Sequence, residues 1–323
     1  SLCSAPAGLN AQIVLESIET DNLRLLYFDP STTYLAPDAA RAFENSMLSQ
    51  TARVGFEPDG QVTVLLKDFS DYGNAAAGAV PRNLLFVDVA PMSFVYETFT
   101  PSERMYTLMT HELVHIATMD MAAAPDRRWR KFFGGKVVPI ADHPETILYS
   151  YLTAPRMSVP RWYLEGSAVF METWMSGGLG RAQGAYDEMV FRAMVRDNAH
   201  FYDPLGLVAA GTKVDFQVGV NAYLYGTRFM SYLAYQYSPQ LLVDWLSRPE
   251  DSERYYAARF EQVFGLPMED AWQDWIAFER DFQSANLEAV RRYPVTSPSD
   301  LTERGLGSVS RAFLDPATNT LYA

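Results

Sequence analysis

The chain has 323 residues, 48% of them hydrophobic and 14% aromatic, which supports a sizeable core and rules against a disordered chain. Its formal net charge of −13 argues against a nucleic-acid partner, because phosphate-binding surfaces concentrate Lys and Arg. The single cysteine, Cys3, allows neither an internal disulfide nor a cysteine-rich metal site, and no apolar run reaches the ~18 residues of a transmembrane segment.

Residues 1–12 (SLCSAPAGLNAQ) are small and weakly polar and read either as the tail of a secretory signal, which points to an exported protein (periplasmic, cell-surface or secreted), or as a disordered extension. Residues 23–28 (LRLLYF) read as a strand ending in a turn at Asp29-Pro30-Ser31. Ala39, Ala42, Phe43, Met47 and Leu48 recur at helical spacing and predict a helix over 37–50. Residues 62–66 (VTVLL) and 83–89 (NLLFVDV) read as strands, with a Gly/Ala-rich loop over 73–78 between them. Residues 13–100 are thus expected to form a small α/β lobe, whose last strand is either a substrate-binding edge or an interior strand.

From Ser102 and Glu103 onward the pattern turns helical, with Met105, Leu108, Met109, Leu113 and Ile116 on one stripe. Residues 121–161 are less regular, and the basic run Arg127 to Lys131 reads as a solvated loop. Helices are predicted over 162–175, 182–197, 218–237, 239–246, 253–264 and 268–282, so that 101–290 form a mainly helical lobe. Residues 291–323 read as a linker and the first strands of a further β-domain, because 310–322 alternate like a hairpin around a Pro-Ala-Thr-Asn turn. The expected fold class is α+β, with a cleft between the two lobes.

The chemistry is concentrated in residues 111–115, His-Glu-Leu-Val-His. Positions i and i+4 lie on one helical face, so His111 and His115 can grip one metal ion, and Glu112 is about 100° round the helix, within reach of a water on that ion. The chain has four histidines, and two fall in this pattern within an otherwise apolar stretch. Burying His111, Glu112 and His115 without partners would cost about 1–3 kcal/mol each, a cost that a metal removes. One zinc ion is therefore expected, with Glu112 as the base that takes a proton from the attacking water.

Catalytic zinc needs a third protein ligand. Position 118 is Thr and position 121 is Met, which excludes the longer three-histidine pattern. Glu165, in Trp162-Tyr163-Leu164-Glu165-Gly166, is the favoured ligand; Asp120, Asp142, His143, Glu145 and Glu172 are the alternatives. Gly166 is expected to let the helix of Glu165 approach the metal helix closely.

HELVH followed at a distance by WYLEGSAVFMET resembles the Glu-zincin metallopeptidases, the thermolysin and aminopeptidase-N-type enzymes. The resemblance implies a zincin-like fold and a peptide or protein substrate. It makes Glu165 the zinc ligand, places Glu172 beside the site to orient a ligating histidine, and matches Tyr223-Leu224-Tyr225-Gly226 to the run that supplies an oxyanion-stabilising tyrosine, Tyr223 first and Tyr225 in reserve. The Gly-x-Met-Glu-Asn segment that holds the substrate amine in aminopeptidases has no counterpart here, so endo- or exo-action stays open. The stretches 68–91 and 310–323 are similar to exported bacterial proteins that join such a domain to a TolB-like or WD-type β-propeller. The alternative to an enzyme is a non-catalytic zincin-fold scaffold or binding module attached to that propeller.

Overall fold

A computed structural model describes residues 13–71, 73–90, 103–208, 218–297, 299–300, 303 and 312–322. The proposed signal remnant lies outside these residues.

Strand β1 (Val14–Glu19) pairs antiparallel with β2 (Leu23–Asp29), and helix α1 (Ala36–Val54) then carries the chain over to β3 (Val62–Lys67), parallel to β2. Strand β4 (Asn74–Gly78) turns back at the far edge, antiparallel to β5 (Leu84–Asp88), which lies parallel to β3. The order β1-β2-β3-β5-β4 makes β5 interior and β4 the edge. The segment 73–78, expected as a loop, is therefore mostly strand. Its Ala-rich sequence has weak strand propensity, and pairing with β5 overrides it.

Leu23, Leu25, Val62, Val64, Leu66, Leu85 and Val87 alternate onto one fully buried face of the sheet. That face packs against Phe43 and Met47 of α1 and against Met105, Leu108, Met109, Leu113 and Ile116 of helix α2 (Arg104–Asp120). By its packing, α2 thus belongs with the sheet lobe rather than with the helical lobe, as the expected boundary at residue 100 had it. Ser46 Oγ meets Thr110 Oγ1 at 2.9 Å across the α1–α2 contact, next to His111.

Residues 121–161, expected to be irregular, hold helices α3 (Ala124–Phe133) and α4 (Glu145–Thr153). The basic run is helical because Asp126 accepts from the Ala123 N–H at the start and Gly134 ends the helix in the left-handed conformation. Helices α5 (Arg161–Met175), α6 (Ala185–Arg196), α7 (Pro204–Val208), α8 (Val218–Gln236), α9 (Pro239–Leu246), α10 (Tyr256–Phe264) and α11 (Met268–Val290) form the second layer. Their core is aromatic, with Trp162, Phe229, Trp245, Phe260, Trp272 and Trp275 all at most 1% exposed. A separate exposed hairpin joins β6 (Phe313–Asp315) to β7 (Thr320–Tyr322). No helix among the described residues is long and apolar enough to cross a membrane.

Helix α5 is sandwiched between α2 and α8. Gly166 and Gly226 stand backbone to backbone at the α5–α8 crossing: a Cβ on Gly166 would lie 2.6 Å from Gly226 Cα, and one on Gly226 would collide with the Trp162 carbonyl. The close approach that Gly166 permits is thus to α8, not to the metal helix as expected. One residue beyond Glu165, Gly166 is rotated about 100° away from α2. Gly226→Ala is expected to destabilise the fold by about 2–3 kcal/mol through this overpacking, read as a lower urea midpoint with an unchanged m-value.

Candidate metal centre

The site is built from the middle of α2 and the first half of α5. His111 and His115 project from one face of α2 with their Nε2 atoms 3.1 Å apart. Glu165 on α5 brings Oε2 to 3.4 Å from His111 Nε2 and 3.2 Å from His115 Nε2. These three buried residues form the one group of metal-ligand type found among the described residues. Donors held about 2.0–2.1 Å from a tetrahedral ion stand about 3.4 Å apart, so the triangle has the size that zinc requires. Glu165 Oε2 is buried and, among the described residues, faces two imidazole nitrogens with no well-aligned hydrogen bond. An acceptor left in that state is costly, and a cation would satisfy it. The donor set therefore fits the ion.

Glu165 Oε1 is held separately by Arg161 Nε at 3.3 Å, one turn earlier on the same helix. Two turns beyond Glu165, Glu172 lies on the same face of α5, and its Oε2 is 2.7 Å from His111 Nδ1. A carboxylate at Nδ1 fixes the proton there and leaves Nε2 with its lone pair free. Arg181 completes the layer, bonding Glu172 Oε1 through Nε at 2.9 Å, with Nη2 3.2 Å from Oε2. It stands on a short 3-10 turn tied back to α5 by the Ala182 N–H, which donates to Thr173 Oγ1 at 3.1 Å. His115 Nδ1 is buried with no hydrogen-bond partner among the described residues.

Electrostatics follow from this packing. Burial works against charge on His111, but Glu165 and Glu172 outweigh it and raise its pKa to about 9 in the metal-free site. Burial likewise opposes ionisation of Glu165, yet the two histidines hold it well below the usual carboxylate range. Glu172 also stays low, with Arg181 overcoming its burial. Glu112 moves the other way: burial raises it against the pull of His111 and His115, and it accepts no hydrogen bond from the described residues.

Of the alternative ligands, Asp120 is occupied elsewhere, bonded to Lys136 Nζ at 2.8 Å, Arg130 Nη1 at 3.2 Å and Asn83 Nδ2 at 2.6 Å. Asp142, His143 and Glu145 are exposed. Glu172 touches the outer nitrogen of His111 rather than joining the donor triangle. Tyr223 is at the site: its ring stacks 6.5 Å from that of His111, and the guanidinium carbons of Arg161 and Arg181 each lie 5.5 Å from its centroid. Tyr225 is core, packed on Trp272, with its oxygen accepting from the Tyr202 N–H at 3.3 Å. The reserve candidate is therefore excluded from the site. The arginines of the basic run are structural: Arg130 is buried on Asp120, and Arg127 pairs with Glu250. Both line a cleft of about 910 Å³ at the C-terminal end of α2, which Asp120 borders but His111, His115 and Glu165 do not.

Neither the family models nor the curated proteins contain a match to this chain. The site is accordingly defined by its own geometry.

Sequence reasoning missed Arg161 and Arg181. An Arg–Glu pair at i,i+4 was a readable sign for the first. Arg181 depends on a turn that no local pattern marks. Near it, Asp187 is driven up to about 7 by burial, despite the countering charges of Arg181 and Arg228.

Two outcomes follow from these contacts. Glu172→Gln is expected to weaken zinc binding roughly 10–100-fold and Glu165→Gln to weaken it further, as read by competition with a chelating dye. An acid whose folded pKa exceeds its unfolded value loses stability as pH rises between the two. Asp187→Asn should therefore gain about 1–3 kcal/mol over wild type at pH 8 and nothing at pH 3, measured by denaturant melts.

Proposed function

We propose that this chain is a zinc-dependent peptidase with a zincin-like fold. The observation that carries the reading is the convergence of His111 Nε2, His115 Nε2 and Glu165 Oε2 within 3.4 Å of one another, with Glu112 one residue from the first ligand. A zinc ion bound there would supply a Lewis acid that acidifies a water to a pKa near 7 and polarises the scissile carbonyl.

The chain's own residues would do the rest. Glu112, whose pKa burial raises, takes the proton of the attacking water as a carboxylate and passes it to the departing amine. Glu172 holds the Nδ1 proton of His111, so that Nε2 stays a donor to the ion throughout. Tyr223, whose phenol burial keeps protonated, donates to the oxygen that gains negative charge. Strand β4, the antiparallel edge, offers an extended peptide a backbone ladder beside α2, a role expected of residues 83–89, which form the interior strand β5 instead. The same reading takes the protein as exported and the β6–β7 hairpin as the start of a β-propeller.

The test is cleavage of an unfolded protein such as reduced casein, with zinc content measured on the same sample. Wild type should contain near-stoichiometric zinc and cleave. Glu112→Ala should keep the zinc and lose about 10³-fold or more in kcat, and Tyr223→Phe about 10–10³-fold with zinc retained. Zinc-loaded wild type that cleaves no unfolded protein would refute the assignment.

A further inference from the structure

We propose that Arg161 makes the candidate metal site a receptor for a peptide carboxylate close to the scissile bond, the free C-terminal carboxylate first, so that the enzyme trims peptides from that end. The proposal rests on the peptidase reading and assigns its substrate class. The two arginines beside Tyr223 are held differently. Arg181 is buried and its guanidinium is spent on Glu172. Arg161 keeps 60% of its side chain exposed, and its bonded contact to a carboxylate is one long one, Nε to Glu165 Oε1 at 3.3 Å. The phenol of Tyr223 lies beside it.

As a structural feature this pair contributes little, because its arginine is mostly solvated and its single contact is long. As a receptor it has the right chemistry. A guanidinium carries five N–H groups in a planar fork that matches a carboxylate, and contacts to Glu165 and the Tyr223 phenol do not use all five. Its place beside a candidate ligand puts a bound carboxylate within about two extended residues of the donor triangle.

Local charge points the same way. The site holds three carboxylates, Glu112, Glu165 and Glu172, against two guanidiniums, Arg161 and Arg181. A divalent cation would turn this deficit of one negative charge into an excess of one positive charge. On a chain of net charge −13, such an excess is a local attraction for an anion that the rest of the surface repels.

The experiment uses zinc-loaded Glu112→Gln protein, which binds without turning over, and an N-terminally fluorescein-labelled uncharged hexapeptide in three forms: free acid, C-terminal amide, and amide with a glutamate as last residue. Fluorescence anisotropy should give about tenfold or tighter binding of the free acid over the plain amide. Adding Arg161→Gln should bring that ratio to about one, and Arg161→Lys should leave an intermediate ratio, with zinc content checked for each. Equal binding of acid and amide by the Arg161-containing protein, measurable or not, overturns the proposal, as does a preference that survives Arg161→Gln in protein that keeps its zinc. The glutamate amide separates the two carboxylate sources: binding it as tightly as the free acid overturns the terminal-carboxylate assignment. These are binding measurements, so they stand apart from the cleavage test, and silence on casein would sink the peptidase reading without altering them.

Discussion

Everything at the site depends on how α5 is gripped. On one side Gly166 meets Gly226 with no side chain between the backbones, which brings α8 as near as two helices can pack. On the other side Glu165 and Glu172, two turns apart, face α2. Tyr223 precedes Gly226 by three residues and so shares its side of α8. The glycine contact therefore does more than save space: it sets the depth at which a tyrosine on α8, a carboxylate on α5 and two imidazoles on α2 meet. A methyl group at the crossing would push Tyr223 and Glu165 apart together.

Charge balance explains why so many ionisable groups tolerate burial here. Each carboxylate on α5 has a cation or potential cation close by: Glu172 has Arg181, and Glu165 has the two histidines. These pairings keep both acids ionised in a place where burial alone would neutralise them. Glu112 has no such bonded partner and shifts upward. Two buried acids held low beside one whose pKa burial raises is a division that the proposed ligand and proton carrier would use.

The parts legible in the sequence are those whose geometry is local. His111, Glu112 and His115 need only a helix, and the stripe Met105, Leu108, Met109, Leu113 and Ile116 announces one. Glu165 follows from ligand chemistry plus a second helix. Glu172 and Tyr223 came from motif spacing, and their positions beside His111 match it. What was illegible is tertiary. Strand β4 has the composition of a loop and becomes a strand only against β5. Helix α3 hides behind a run of four cations, one of which is buried on Asp120. Gly166 was recognisable as a close-packing glycine, but its partner helix was not, since that depends on which way a neighbouring side chain turns.

The scaffold alternative can be weighed on physical grounds. Helix α2 is clamped at both ends: Glu103 accepts from the Met105 N–H at 2.9 Å, and Asp120 is locked by Lys136, Arg130 and Asn83. With its ends fixed, the helix cannot rotate to relieve strain among the groups between them. His111, His115 and Glu112 are thus held in place, with Glu165 Oε2 lacking a well-aligned donor among the described residues. A scaffold gains nothing from Glu112, because an apolar residue at that position would avoid the desolvation cost and pack equally well. An ion accounts for Glu165 Oε2 and the two imidazoles, but it does not account for Glu112. The proposed proton transfer would give that carboxylate a use.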